Sequence, residues 1–186
     1  STVRLVAIPN EELRDKVRNA YCLDEFIVIG KAKIKDGFYV SDDESVLYGS
    51  DKTGKINIPD NIETISTSAF YKNQDVSEVV FGSSSKLKKI ENGAFLKSSI
   101  EKVSFPSSLE EIEDGEAGAY GNAGNYGAFF SCDKLKEIDF SRCTSLKKIG
   151  HCAFKNSKAI TNFDLSPCTS LKHIGNGAFQ GLSSFV

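Results

Sequence analysis

The chain has no methionine, two histidines among its 186 residues, and an odd number of cysteines (five) with no Cys-x-x-Cys pair. Paired-cysteine metal and redox motifs are therefore absent. No apolar run approaches the length of a membrane-spanning helix, and no signal peptide opens the chain. The first residues are Ser-Thr-Val, so a trimmed or mature product is one reading, and the missing leader is uninformative. A large charge of either sign is also lacking. The formal net charge of −2 argues against a nucleic acid or a membrane surface engaged by bulk charge.

The motifs of common chemistry are missing as well. There is no Gly-x-Ser-x-Gly, no His-Glu-x-x-His and no asparagine sequon. "GSDKTGKI" (49–56) fits Gly-x-x-x-x-Gly-Lys but ends in Ile where a phosphate loop needs Ser or Thr for magnesium. It also runs into a strand pattern, so no helix N-terminus faces a phosphate. Local spacing fixes no carboxylate beside His151 or His173, and both read as surface residues. No catalytic, cofactor-binding or metal-ligating residue is assigned, no cofactor is expected, and the chain is not read as an enzyme.

What is present is a repeated phrase. Ile-x-x-x-Ala-Phe occurs as Ile65–Ala69–Phe70, Ile90–Ala94–Phe95, Ile149–Ala153–Phe154 and Ile174–Ala178–Phe179. Where nothing is inserted, the Ala-Phe pairs are 25 residues apart. A fifth copy is split, opening at Ile112 and closing at Ala128–Phe129. Between the phrases, "LKEIDFSRCTSL" (135–146) and "ITNFDLSPCTSL" (160–171) alternate apolar and polar residues like short half-buried strands. Pro59, Gly82 and Pro106 end such strands. One coil of this kind cannot bury its own apolar edge, but stacked coils bury one another's.

Residues 56–182 resemble the BspA-type (Treponema pallidum-type) leucine-rich repeats, with "FSCDKLKEIDF" and "IPDNIETISTSAF" as the closest stretches. The fold expected is mainly β within an α+β class: a short leucine-rich-repeat solenoid of about five repeats of 23–25 residues behind an N-terminal α/β cap. The cap is expected over 1–50, as a short helix in "PNEELRDKVRNAY" with Asn10 as its N-cap, plus a hairpin turning at Asp36–Gly37. The array is expected over 51–186, with an inserted Gly/Tyr loop at 113–127. Cys143 and Cys168 share a repeat position, so they fall on adjacent rungs as a buried thiol ladder or a disulfide.

The resemblance implies a non-enzymatic protein-binding module, secreted, periplasmic or at a cell surface. Its expected partner is a protein of a host matrix or of another cell, with no nucleic acid and no membrane insertion. Strand residues that alternate with buried ones form columns across rungs, Lys55, Glu78, Lys102, Glu137, Asn162 and Asn57, Val80, Ser104, Asp139, Asp164. Alternating signs favour pairing between rungs, but acids gather toward the C-terminal end. Glu78, Val80, Lys102, Glu137, Asp139 and Asp164 are therefore candidate contact residues. Tyr120, Asn122, Asn125 and Tyr126 of the insertion join them, because Tyr, Asn and Gly suit recognition loops; the tyrosines packing back on the array is the alternative. The end "AFQGLSSFV" offers no polar cap, so Phe163, Leu165, Leu171, Ile174 and Phe179 are expected to line an open edge. The rival function is thus an assembly module that forms a homo-oligomer through its last repeat.

Overall fold

A computed structural model describes residues 32–117 and 125–186. In chain order the strands are β1 (Ala32–Lys35), β2 (Phe38–Ser41), β3 (Val46–Ser50), β4 (Gly54–Ile58), β5 (Thr64–Ile65), β6 (Val76–Phe81), β7 (Lys89–Ile90), β8 (Lys102–Ser104), β9 (Glu111–Ile112), β10 (Glu116–Ala117), β11 (Asn125–Tyr126), β12 (Glu137–Asp139), β13 (Lys148–Ile149) and β14 (His173–Ile174). No α-helix occurs among the described residues, so the α/β cap finds no support there. The helix expected in 9–21 lies outside the described residues. What leads into the array is an antiparallel hairpin, β1–β2, turning at Asp36–Gly37, followed by β3.

Each rung places one strand in each of two sheets. Strands β4, β6, β8 and β12 form a parallel sheet, extended by a single bridge from Glu137 to Asn162. The short strands β5, β7, β9, β13 and β14 stack in parallel as the second sheet, and β1–β2–β3 continue it at the N-terminal side. The register is that of the columns read from the repeat. Lys55, Glu78, Lys102 and Glu137 lie side by side, as do Asn57, Val80, Ser104 and Asp139. On the second sheet Thr64, Lys89, Glu111, Lys148 and His173 align.

The Ala-Phe phrase forms the far wall. The amides of Phe70, Phe95, Phe129 and Phe154 donate to the carbonyls of Ala94, Ala128, Ala153 and Ala178 on the next rung, at 2.6–2.7 Å. Their rings stack nearly parallel, with centroids 4.8 Å apart for Phe70–Phe95 and Phe95–Phe129, 4.9 Å for Phe129–Phe154 and 5.4 Å for Phe154–Phe179. Alanine beside each ring leaves room for the backbones to approach. The residue before that alanine is left-handed in four rungs, at Ser68, Gly93, Cys152 and Gly177. Glycine is the residue that adopts this conformation at least cost, which accounts for the second letter of "NGAF" at 93 and 177.

Inward-facing Ile, Leu, Val and Phe from both sheets fill one continuous core along the array. Cys132, Cys143, Cys152 and Cys168 are free thiols. Burial pushes Cys132 and Cys143 up to about 12 and raises Cys168. Cys132, Cys143 and Cys168 serve as small apolar fillers, and Cys143 and Cys168, both free, form the thiol ladder and not a disulfide.

The insertion leaves the array as an antiparallel ribbon. Strand β10 pairs with β11, Glu116 opposite Tyr126 and Ala117 opposite Asn125. Its base is tied to the array where the Gly115 amide donates to the His151 carbonyl at 2.9 Å.

Candidate functional site

Most charged columns neutralise themselves. Lys55 pairs with Glu78 at 3.1 Å, Lys102 with Glu137 at 3.0 Å, Lys88 with Glu63 at 2.9 Å, and Lys147 with Glu110. Such exposed pairs set the register more than they stabilise it.

The exception is the C-terminal end of the four-stranded sheet. There a depression of about 410 Å³ is lined by Lys102, Ser104, Glu137, Asp139, Asn162 and Asp164, above Ile138, Phe140, Phe163 and Pro167. It forms where the strand ladder narrows to the one Glu137–Asn162 bridge, so the last two rungs part beyond it. Asp139 accepts a bond from the Ser141 amide, and Asp164 one from the Ser166 amide, both at 2.8 Å. These local turns fix both carboxylates at the border of the depression. The Ser141 hydroxyl and amide hold Asp139 below the usual carboxylate range, and the Ser166 amide and hydroxyl do the same for Asp164. Glu137 raises Lys102 in turn. The rim is ionised and net acidic, while its floor is aromatic and aliphatic.

Lys102, Glu137, Asp139 and Asp164, expected as contact residues, are thus brought together. Glu78 and Val80 lie on the same sheet face in the preceding rung, outside the depression. Tyr120 and Asn122 lie outside the described residues, and Asn125 is placed by its backbone on β11. Tyr126 is half-buried, with its ring edge-on to Phe130 at 5.1 Å, so it packs back on the array.

The self-association candidates form a second place. Phe163, Leu165, Leu171 and Phe179 are partly buried against the core, and Ile174 is 48% exposed. Phe163, Phe179, Leu182 and Phe185 border an apolar groove of about 380 Å³ at the array's end. The Val186 amide donates to the Thr161 carbonyl at 2.9 Å, as the Lys136 amide does to the Glu101 carbonyl in an inner rung.

One constellation was hidden in the sequence. Asp114, His151 and His173 offer ligand atoms that all lie within 4.8 Å of one another. The two histidines are 22 residues apart, close to one rung, but Asp114 precedes His151 by 37 residues, because the insertion lengthens that rung. Only the stacking register, with β9 beside β13 and β13 beside β14, shows that the three converge.

Two sheets of short parallel strands, stacked rung on rung around a phenylalanine ladder, define a leucine-rich-repeat solenoid. The chain belongs to the BspA-type leucine-rich-repeat family, whose model matches residues 23–116 and 124–186 in six copies. Among solved structures it is similar to a leucine-rich-repeat protein of T. pallidum, with TM-score 0.62 and 22% identity over 84% of this chain and 70% of that one. It is also similar to the pneumococcal vaccine antigen PcpA, with TM-score 0.52 and 27% identity over 77% of this chain. That match spans only 31% of the antigen. No curated protein sequence matches the chain.

Proposed function

We propose that this chain is a non-enzymatic protein-binding module, displayed at a cell surface or secreted, which holds a protein ligand on the C-terminal end of its four-stranded sheet. The observation that carries this reading is the depression itself. An apolar floor under a polar, ionised rim is how protein–protein contacts are built, and the paired charges elsewhere on that sheet offer no equivalent. The acidic rim favours a ligand with a basic contact segment. A surface setting draws support from the similarity to a vaccine antigen. A host matrix protein or a protein of another cell is the partner class this setting suggests. The test is binding of the monomeric protein to intact host cells and to immobilised matrix proteins, beside the double variant Asp139→Lys/Asp164→Lys. Saturable binding lost in the variant, with circular dichroism unchanged, is the expected result. Equal binding by both proteins excludes the depression.

A second reading, self-assembly through the last repeat, is favoured by the exposed Ile174 and the apolar groove beside Phe185. Like surfaces meeting in a closed dimer would cover both. Light scattering at tens of micromolar (a concentration chosen for the assay) separates the two readings. A strict monomer with a well-protected last rung excludes assembly.

A further inference from the structure

We infer that Asp114, His151 and His173 form a binding site for a divalent first-row transition ion of the zinc, nickel or copper kind. The three side chains come from three successive rungs on the second sheet, and their ligand atoms lie within 4.8 Å of one another. Two imidazoles and one carboxylate suit these ions, whereas magnesium and calcium prefer oxygen ligands alone. His173 is exposed, with its ring edge-on to that of His151 at 6.2 Å, while Asp114 and His151 are half-buried.

Two present interactions set the terms of binding. Lys148 donates to Asp114 Oδ2 at 2.6 Å, and it also reaches Glu111 at 3.2 Å. An incoming cation displaces the ammonium from Asp114, and Glu111 retains it. The other carboxylate oxygen, Oδ1, stays fixed by the His151 amide at 2.8 Å. On the far side, His151 Nδ1 accepts the Asn176 amide at 3.0 Å. Ligation through Nδ1 uses that lone pair, and ligation through Nε2 moves the ring proton to Nδ1. In either case the Asn176 amide loses its acceptor. Binding therefore leaves a mark on the last turn that mere surface adsorption does not.

The ion would tie the base of the inserted ribbon, the turn after β13 and the final strand β14 together. Such a ligand binds the folded array and not the unfolded chain, so it stabilises by mass action.

The experiment is calorimetric titration of untagged, chelator-treated protein with zinc, nickel and magnesium chlorides, with melting curves and amide spectra alongside. One zinc per chain is expected, a melting temperature that rises with zinc, a shifted Asn176 resonance, and no response to magnesium. His173→Gln, at an exposed position, should lower zinc affinity by about tenfold or more, since loss of even an outer partner of a metal ligand costs about 10–100-fold. Lys148→Gln should tighten binding, because it removes the competing cation. Absence of saturable zinc binding overturns the proposal, as does binding unchanged in His173→Gln or weakened in Lys148→Gln. An equal response to magnesium, or an unmoved Asn176 amide, overturns it too.

Discussion

The two ends of the second sheet carry the same kind of short strand and meet different fates. At the N-terminal end, Leu47 of β3 lies against Ile65 of β5, and both are fully buried under the hairpin. At the C-terminal end, Ile174 occupies the position of Ile65 one edge later and is 48% exposed. Phe70, in the first Ala-Phe phrase, is fully buried, whereas Phe179, in the last, is half-buried. The residues are identical in type and local spacing. A repeat residue's contribution is thus set by whether a neighbour lies on its outer side, which is how solenoid stability divides into rung and interface terms.

The largest test of that contrast compares two phenylalanines. Phe154 is buried between Phe129 and Phe179, so Phe154→Ala should cost about 3–5 kcal/mol in urea unfolding. Phe179 also meets two rings, Phe154 and Phe163, but is only half-buried, so Phe179→Ala should cost about 1–2 kcal/mol. Equal losses would break the comparison.

Glycines offer the next largest effect. A Cβ on Gly150 would stand 2.2 Å from the Glu113 carbonyl oxygen of the preceding rung. Gly150→Ala should therefore force the rungs apart and cost about 1–3 kcal/mol, as overpacking does. Gly54 has nothing within 4 Å of such a carbon but sits at φ +68°. Gly54→Ala should cost about 1 kcal/mol from backbone strain alone. The ranking, read from denaturant midpoints, separates rung contact from local conformation.

Removing 116–127, which restores the four-residue step from Ile112 to Ala128, tests the ribbon. The melting temperature should move by a few degrees at most, since Tyr126 and Phe130 form one edge contact outside the phenylalanine stack. A fall as large as that of Phe154→Ala would place the ribbon in the core.

The smallest effect is an acid titration of the turn between β2 and β3. The Ser41 hydroxyl, with the Ser45 amide and hydroxyl, holds Asp43 at about 2. Its folded value lies below the unfolded one, so its contribution is full above about pH 4 and is lost as pH falls through about 2. The Ser45 amide resonance should titrate with a midpoint near 2. A midpoint near 4 would mean that the turn's bonds do not persist in solution.

The period and the alternation within it made the rungs, columns and buried face legible, because each depends on nearest neighbours in a fixed register. The columns that hold Lys102, Glu137 and Asp139 were read in this way. Convergence across an irregular rung was not legible. Asp114 and His151 each stand two residues after a paired isoleucine, Ile112 and Ile149, but the insertion spreads that pair over 37 residues and hides it. The insertion read as a loop from its glycines, and its ends proved to be paired strands, since Gly-rich composition says little about ladder bonds between termini. The N-terminal helix pattern in 9–21 lies outside the described residues.

The bond from each phenylalanine amide to the next alanine carbonyl has a genetic consequence. A unit whose two faces carry the same donor, acceptor and ring can be duplicated or lost whole without rewriting either neighbour. Changes in array length by entire 25-residue steps should then be tolerated, while a change by a few residues must leave the wall as an excursion, as the paired strands β10 and β11 do. Length in such a molecule is a dial with coarse stops.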